Sequence, residues 1–177
     1  MRLALLVAAA ALAACQTGTQ TQQTSDEPAR ATAQLQPTQG NKTVGEATFE
    51  DLGNDKVHVA VIVHHLKPNA EHGFHIHEAG DCSSGDGMSA KGHFNPLGKS
   101  HGSAASAEHH AGDLPSLKAD KNGVAKLDTT VSGISVAPGP TSIVGRGLIV
   151  HADPDDYKTQ PTGNSGARLA CGVIQPG

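Results

Sequence analysis

Histidine is the residue type in this sequence whose spacing most directly indicates chemistry. The chain contains 11 His in 177 residues, and His75 and His77 are separated by a single residue. On a β-strand such residues point to the same side, with Cβ atoms roughly 6–7 Å apart, so two imidazoles can converge on one metal ion. A His-x-His pair alone is a weak signal, because such pairs also occur on solvated faces.

A second group of potential ligands follows in the next part of the chain. It comprises three histidines and one aspartate, with Gly and Pro turns between them: His93, His101, His110 and Asp113. Three imidazoles and a carboxylate make a suitable tetrahedral set for Zn²⁺. An imidazole-rich site with an open position suits copper, and His151, at the end of a Leu-Ile-Val strand, could add a nitrogen ligand to the first pair.

The other histidines and Met88 are interpreted without a metal. We expect His72 to pack or hydrogen-bond locally at a strand entry, and His58 and His64 to face solvent. His109 adjoins a candidate ligand, but a neighbour on a loop generally points elsewhere. Met88 is interpreted as a side chain that fills a gap rather than as a ligand.

Short β-strands are the elements that must position these residues. Aromatic residues make up only 2% of the chain and Trp is absent, so the core must be built mainly from Val, Ile, Leu and Ala. Seven segments are predicted to form strands: 31–36, 43–50, 56–66, 73–77, 123–131, 145–151 and 168–174. The clearest has Val at every second position from Val57 to Val63. The long aperiodic segment between His77 and Lys121 is interpreted as functional. The predicted class is an all-β sandwich or barrel with long loops.

The N-terminus has the pattern of an export signal. Arg2 precedes an apolar run over 3–14, which is too short to span a bilayer, and Leu12-Ala13-Ala14-Cys15 resembles a bacterial lipobox. The alternative is an ordinary signal peptide with a chance Cys. We predict a lipoprotein signal peptide over 1–14, lipidation of Cys15, a flexible tether over 15–30 and a folded domain over 31–177. Gln16, rather than Asp, after Cys15 resembles the Gram-negative signal that directs lipoproteins to the outer membrane, where the domain would face the periplasm. In a Gram-positive host the anchor would lie in the plasma membrane instead.

Export also determines how the remaining cysteines are interpreted. An even pair, Cys82 and Cys171, in an oxidising compartment favours one disulfide. Two free thiols acting as metal ligands are the less favoured alternative outside the cytosol.

The net charge of -4 argues against a nucleic-acid-binding protein held by phosphate contacts.

Several ordered motifs together resemble the copper/zinc superoxide dismutase family. They are Gly73-Phe74-His75-Ile76-His77-Glu78, Gly92-His93-Phe94-Asn95-Pro96 through His101, His110-Ala111-Gly112-Asp113, Gly145-Arg146 through His151, and Gly163-Asn164-Ser165-Gly166-Ala167-Arg168-Leu169-Ala170-Cys171-Gly172. The resemblance runs from about residue 31 to the C-terminus. It implies an eight-stranded Greek-key β-barrel with long metal-binding and electrostatic loops.

The resemblance also implies a site in which one copper and one zinc are bound per chain. The copper ligands would be His75, His77, His93 and His151, and the zinc ligands would be His93, His101, His110 and Asp113. His93 would bridge both ions. Asp155 would link a copper histidine to a zinc histidine, and Arg168 would be the active-site arginine beside the disulfide cysteine Cys171.

The activity implied is disproportionation of superoxide to dioxygen and hydrogen peroxide, which would protect the cell envelope. Because the whole chain is negative, an anionic substrate needs a local positive guide, for which Lys158 and Arg168 are candidates. Cys82 follows His77 by five residues, and this short spacing resembles the bacterial branch. It leaves open the subunit-contact loop and with it the oligomeric state, for which a homodimer is one candidate. The competing hypotheses are a copper-delivery domain on the same fold and a zinc-buffering lipoprotein.

Overall fold

Alternating burial along the strands explains why this sequence forms a curled sheet. In the computed structural model, which describes residues 27–177, Val57, Val59, Val61 and Val63 are buried on one face of a strand, and the residues between them are partly exposed. The strands are β1 (Arg30–Pro37), β2 (Val44–Gly53), β3 (Lys56–His64), β4 (Glu71–His72), β5 (Phe74–His77), β6 (Leu117–Lys118), β7 (Ala125–Ser132), β8 (Gly147–His151), β9 (Arg168–Val173) and β10 (Gln175–Pro176).

Antiparallel pairing joins most of these strands into one eight-stranded sheet. The order is β5-β8-β9-β1-β2-β3-β7, and β10 pairs with β1. The neighbours β5/β8, β9/β1 and β3/β7 are distant in sequence, which is the pattern of Greek-key connections. β1 pairs with β2 along its length and with β9 only at Gln36 and Pro37, so the sheet curls at this strand. The predicted all-β class is confirmed.

All seven predicted strands are present, with ends shifted by at most a few residues. Three strands of two residues each, β4, β6 and β10, were missed, because a pair of residues carries no measurable period. The long segment after His77 is largely irregular, as predicted, and contains only β6 and a single 3-10 turn at Met88–Ala90. The core is aliphatic except for Phe49, Phe74 and Phe94, the three Phe of the chain, all buried.

The predictions about the N-terminus fall mainly outside the described residues. The signal peptide over 1–14 and Cys15 lie before residue 27, as does most of the tether over 15–30. β1 begins at Arg30, one residue before the predicted start of the folded domain. Within residues 27–177, no helix is long and apolar enough to cross a membrane.

Cys82 and Cys171 form a disulfide that fixes the loop after β5 to strand β9. Their Cα atoms are 5.8 Å apart, and they are separated by 89 residues in sequence. The bond packs with Ala90 and Ile149 in a small apolar cluster separate from the main core. The loop that leads to His93 is therefore covalently attached to the sheet.

Replacement of Cys82 by serine is expected to lower the free energy of unfolding by about 2–5 kcal/mol. The unfolded chain is no longer restricted by a long covalent loop, and the native loop loses its attachment to β9. Chemical unfolding under oxidising conditions measures the change, with Ser83→Ala on the same exposed loop as the control. An unchanged unfolding midpoint for Cys82→Ser would contradict a stabilising bond.

Candidate metal centre

Strands β5 and β8 carry three histidines on one face of the sheet. His75 pairs with Ile149 and His77 with Gly147, so these residues share a face. His151 is two residues beyond Ile149 and lies on the same side. The opposite face of both strands is apolar and enters the core through Phe74, Ile76, Leu148 and Val150. Core packing therefore orients the three histidines away from the core.

The other ligand candidates come from the loop that covers the free edge of β5. Ile76 donates its N–H to the Gly112 carbonyl and accepts one from Phe94 N, both at 2.8 Å. Two isolated β-bridges, His77 with His93 and His75 with Asp113, continue this pairing. A Cβ at Gly112 would collide with the Ile76 carbonyl oxygen, so only glycine permits this close approach.

The donor atoms form two adjoining groups whose members lie within 4.8 Å of one another. One group contains only histidines: His75, His77, His93 and His151. The other contains His93, His101, His110 and Asp113. All seven residues are buried, and His93 belongs to both groups. The structure thus brings together every residue predicted as a metal ligand, in the two predicted sets.

In the first group, hydrogen bonds hold one nitrogen of each strand-borne ring and leave the other facing inward. His75 Nε2 donates to Asp155 Oδ2 at 2.7 Å, and His77 Nδ1 donates to the Lys91 carbonyl at 2.8 Å. His151 Nδ1 lies 3.3 Å from the Gly166 carbonyl. The Nε2 atoms of His77 and His151 face each other at 3.3 Å, within hydrogen-bond distance. Such outward hydrogen bonds fix the tautomer and the orientation of a ligating ring.

The second group places a carboxylate among three Nδ1 atoms. Asp113 Oδ1 lies 2.8 Å from His93 Nδ1, 3.0 Å from His101 Nδ1 and 3.4 Å from His110 Nδ1. The other oxygen of Asp113 accepts backbone N–H groups from His110 and Gly102. Asp113 is therefore fixed with one oxygen directed at the histidines.

Several buried ring nitrogens in the described residues have no hydrogen-bond partner, and this tests whether the residues fit a metal. They are His75 Nδ1, His93 Nε2 and His101 Nδ1, together with His72 Nε2. His101 Nδ1 is near Asp113 Oδ1 but is not oriented to hydrogen-bond to it. An unsatisfied buried polar atom costs about 1–3 kcal/mol. A cation in each donor group would satisfy the atoms of His75, His93 and His101, whereas His72 belongs to neither group. The donor sets fit two metal ions.

Asp155 connects the two groups. Its Oδ2 accepts from His75 and its Oδ1 from His101 Nε2 at 2.9 Å, so one carboxylate joins one ring from each group. The backbone N–H of Tyr157 also donates to Oδ1, at 2.7 Å. The predicted link between a histidine of each set is thus present in the structure.

The two groups differ in electrostatic character. Burial lowers the pKa of His77 and of His151 well below the usual value, and it lowers the pKa of His93 to about 4 despite the Asp113 hydrogen bond. Burial also disfavours charge on His101, but Asp113 and Asp155 outweigh it and raise its pKa to about 9. Burial therefore favours the neutral form of His77, His93 and His151, whereas the carboxylates of Asp113 and Asp155 favour the charged form of His101.

A cavity of about 600 Å³ opens onto the first group and is lined by His77, His151 and Arg168. Arg168 is opposite His151 in the β8/β9 pairing, and its guanidinium donates to the Gly87 carbonyl at 2.6 Å and to the Lys91 carbonyl at 2.5 Å. Lys158, the other predicted guiding cation, is exposed and does not line this cavity. Of the two candidates, only Arg168 is at the site.

Several groups that support the site carry no signal in the sequence. The Lys91 carbonyl accepts hydrogen bonds from both His77 and Arg168, yet every residue has a carbonyl. Asp86 and Met88 also line the cavity.

The interpretation of Met88 as a side chain that fills a gap is wrong. Met88 is 59% exposed and lies on a surface loop rather than in a packed interior.

The histidines predicted to lie outside the site do lie outside it. His72 is buried and donates from Nδ1 to the His151 carbonyl at 2.8 Å, a local bond at the strand entry as expected. His58 and His64 are on the partly exposed face of β3, where His58 pairs with Asp128 at 3.0 Å.

A curled antiparallel sheet with two adjoining histidine-rich groups defines a class of metalloprotein, and comparison with known proteins identifies the family. The family model described as copper/zinc superoxide dismutase (SODC) matches residues 43–174. The chain belongs to this family. It is accordingly an oxidoreductase that disproportionates superoxide and binds one copper and one zinc per chain.

Individual relatives agree with this assignment. The chain is 39% identical over 150 residues to superoxide dismutase [Cu-Zn] 2 of Aquifex aeolicus, covering 82% of this chain and 86% of the relative. It is 46% identical over 133 residues to superoxide dismutase [Cu-Zn] of Candida glabrata, covering 72% and 77%. Among solved structures, that of the clock protein EA4 superposes with a TM-score of 0.76 at 40% identity, covering 84% of this chain and 94% of that one.

Proposed function

We propose that His75, His77, His93 and His151 hold the copper, that His93, His101, His110 and Asp113 hold the zinc, and that His93 bridges the two ions. The supporting observation is that His93 contributes to both donor groups. An all-imidazole set beside an open cavity suits copper, and a set that includes a carboxylate suits zinc.

The reaction converts two superoxide anions and two protons to dioxygen and hydrogen peroxide. Bound copper supplies the one-electron redox couple for both halves of the reaction, and bound zinc supplies a fixed positive charge. Arg168 provides a cation and a planar set of N–H donors at the cavity into which His77 and His151 also face. An anion that enters is therefore held beside the open side of the first histidine group.

His93 is the residue proposed to hold and release a proton. Its Nε2 has no partner, while its Nδ1 is held by Asp113. With Nδ1 on the side of the zinc set, the ring would accept a proton at Nε2 when that nitrogen does not bind copper. It could then donate this proton to the product without changing its position. Asp155 and the Lys91 carbonyl keep the neighbouring rings in one tautomer, so they stay aligned throughout the cycle.

Elemental analysis of the purified mature protein combined with a superoxide assay tests this assignment. The expected result is one copper and one zinc per chain and a rate proportional to bound copper. A copper-delivery domain would bind copper without activity, and a zinc-buffering protein would retain zinc alone; either result would overturn the proposal.

We further infer that the protein is an exported lipoprotein that removes superoxide at the cell envelope, facing the periplasm from the outer membrane. The support lies in the apolar run over 3–14, in Leu12-Ala13-Ala14-Cys15 and in Gln16.

A homodimer is the proposed oligomeric state. The molar mass of the protein without its lipid, measured by light scattering, tests it.

Replacement of Cys15 by serine is expected to abolish lipid attachment while leaving the rate per bound copper unchanged, because Cys15 precedes the folded domain. Membrane fractionation and intact mass spectrometry measure the change. Thr17→Ser, in the same segment, serves as the control and should remain in the membrane fraction. Wild-type protein with an unmodified Cys15 would contradict the anchor.

A further inference from the structure

The side chains around the mouth of the active-site cavity carry charges of both signs. Among the residues that line it, only His77, Asp86, His151 and Arg168 can ionise. His77 and His151 belong to the proposed copper set. The remaining pair is one cation, Arg168, and one anion, Asp86. An anionic substrate therefore meets a repelling group beside the attracting one.

Local hydrogen bonds hold the Asp86 carboxylate at this position. Its Oδ1 accepts from Ser84 Oγ at 2.7 Å and from the backbone N–H of Met88 at 2.9 Å. These donors keep the carboxylate ionised at neutral pH. The next residue, Gly87, accepts a hydrogen bond from Arg168 through its carbonyl, so the loop that carries Asp86 is fixed against the guanidinium.

We propose that Asp86 repels anions at the cavity mouth and thereby limits the entry of superoxide and other small monovalent anions. This inference rests on the proposed copper site, because the cavity opens onto it. The Asp86 carboxylate hydrogen-bonds to Ser84 and Met88, and neither of these residues is a proposed ligand or part of the disulfide. Its effect is on the approach of the anion and not on the chemistry.

Asparagine at this position removes the charge and retains an oxygen that can accept both hydrogen bonds. Asp86→Asn is expected to raise the rate per bound copper about two- to fivefold at low ionic strength, where a single nearby charge is least screened. The gain should disappear as the salt concentration rises, because the Debye length falls to about 8 Å at 0.15 M.

Asp81 offers a matched control on the same loop. It is exposed, and its Oδ1 likewise accepts a backbone N–H, from Ser83 at 2.8 Å, but it does not line the cavity. Asp81→Asn changes the net charge by the same amount and should leave the rate unchanged. An equal gain in both variants would assign the effect to net charge and overturn the inference.

Titration of the copper(II)-loaded protein with sodium azide, followed by its optical spectrum, gives a readout independent of turnover. Azide is a small monovalent anion, so Asp86→Asn should lower its dissociation constant about two- to fivefold at low salt, and Asp81→Asn should not change it. If the wild type were inactive, the proposed function would fail while this titration still tested Asp86. Identical azide affinity and rate in Asp86→Asn and wild type, or a gain that persists at high salt, would refute the role of Asp86.

Discussion

Replacement of His93 by alanine is expected to disturb both metal sites at once. His93 is the residue common to the two donor groups, with Nδ1 among the second group and Nε2 free on its other side. Loss of a residue that merely orients a ligand already costs about 10- to 100-fold in metal affinity or activity, so loss of this ring should lower dismutase activity by at least about 100-fold. Metal content by mass spectrometry and the copper(II) paramagnetic resonance spectrum measure the two sites separately.

Two further substitutions show whether the effect is specific to the shared ring. His110 belongs only to the second group, so His110→Ala should mainly reduce zinc content and leave copper bound. His109 is adjacent in sequence but partly exposed, and its Nδ1 bonds to the His110 carbonyl, so His109→Ala should retain both metals. A copper spectrum of His93→Ala identical to that of wild type would show that His93 does not bridge the sites.

Replacement of Arg168 by alanine is expected to lower the rate per bound copper by roughly tenfold or more at low ionic strength, with near-normal metal content. Arg168 is the cation among the ionisable residues that line the cavity, and arginine is not a metal ligand. The salt dependence of the rate should weaken, because part of the guiding field is lost. Rates measured across ionic strength, normalised to bound copper, give both quantities.

Arg168→Lys separates charge from geometry. It should recover part of the rate, because it restores the charge but not the planar donors that reach the Gly87 and Lys91 carbonyls. A purely structural role is the alternative, since both acceptors are loop carbonyls. In that case Arg168→Ala would lower the melting temperature, while the rate per copper and its salt slope stayed at wild-type values.

The ligand residues could be predicted because the signal for them is local. His75 and His77 share a face on any strand, and His151 follows a short apolar strand. The valine period of β3 likewise indicated a strand buried on one face, which the structure confirms. Assignment of the complete ligand sets and of the barrel required the resemblance to a family, since spacing alone does not bring residues 93 and 151 together.

The fold class, the disulfide pair and the residue types of the site can be derived from the amino-acid sequence. The inward-facing nitrogen of each ring and the cations that reach the cavity become known only from the folded chain. Asp155 joins His75 and His101 across 80 and 54 residues of sequence, and the Lys91 carbonyl serves both His77 and Arg168. Lys158 stays outside the cavity, whereas Asp86 lines it. The physical reason is that side-chain type and periodicity are properties of short segments, whereas ring orientation and local charge depend on backbone groups and loops that only the folded chain brings together.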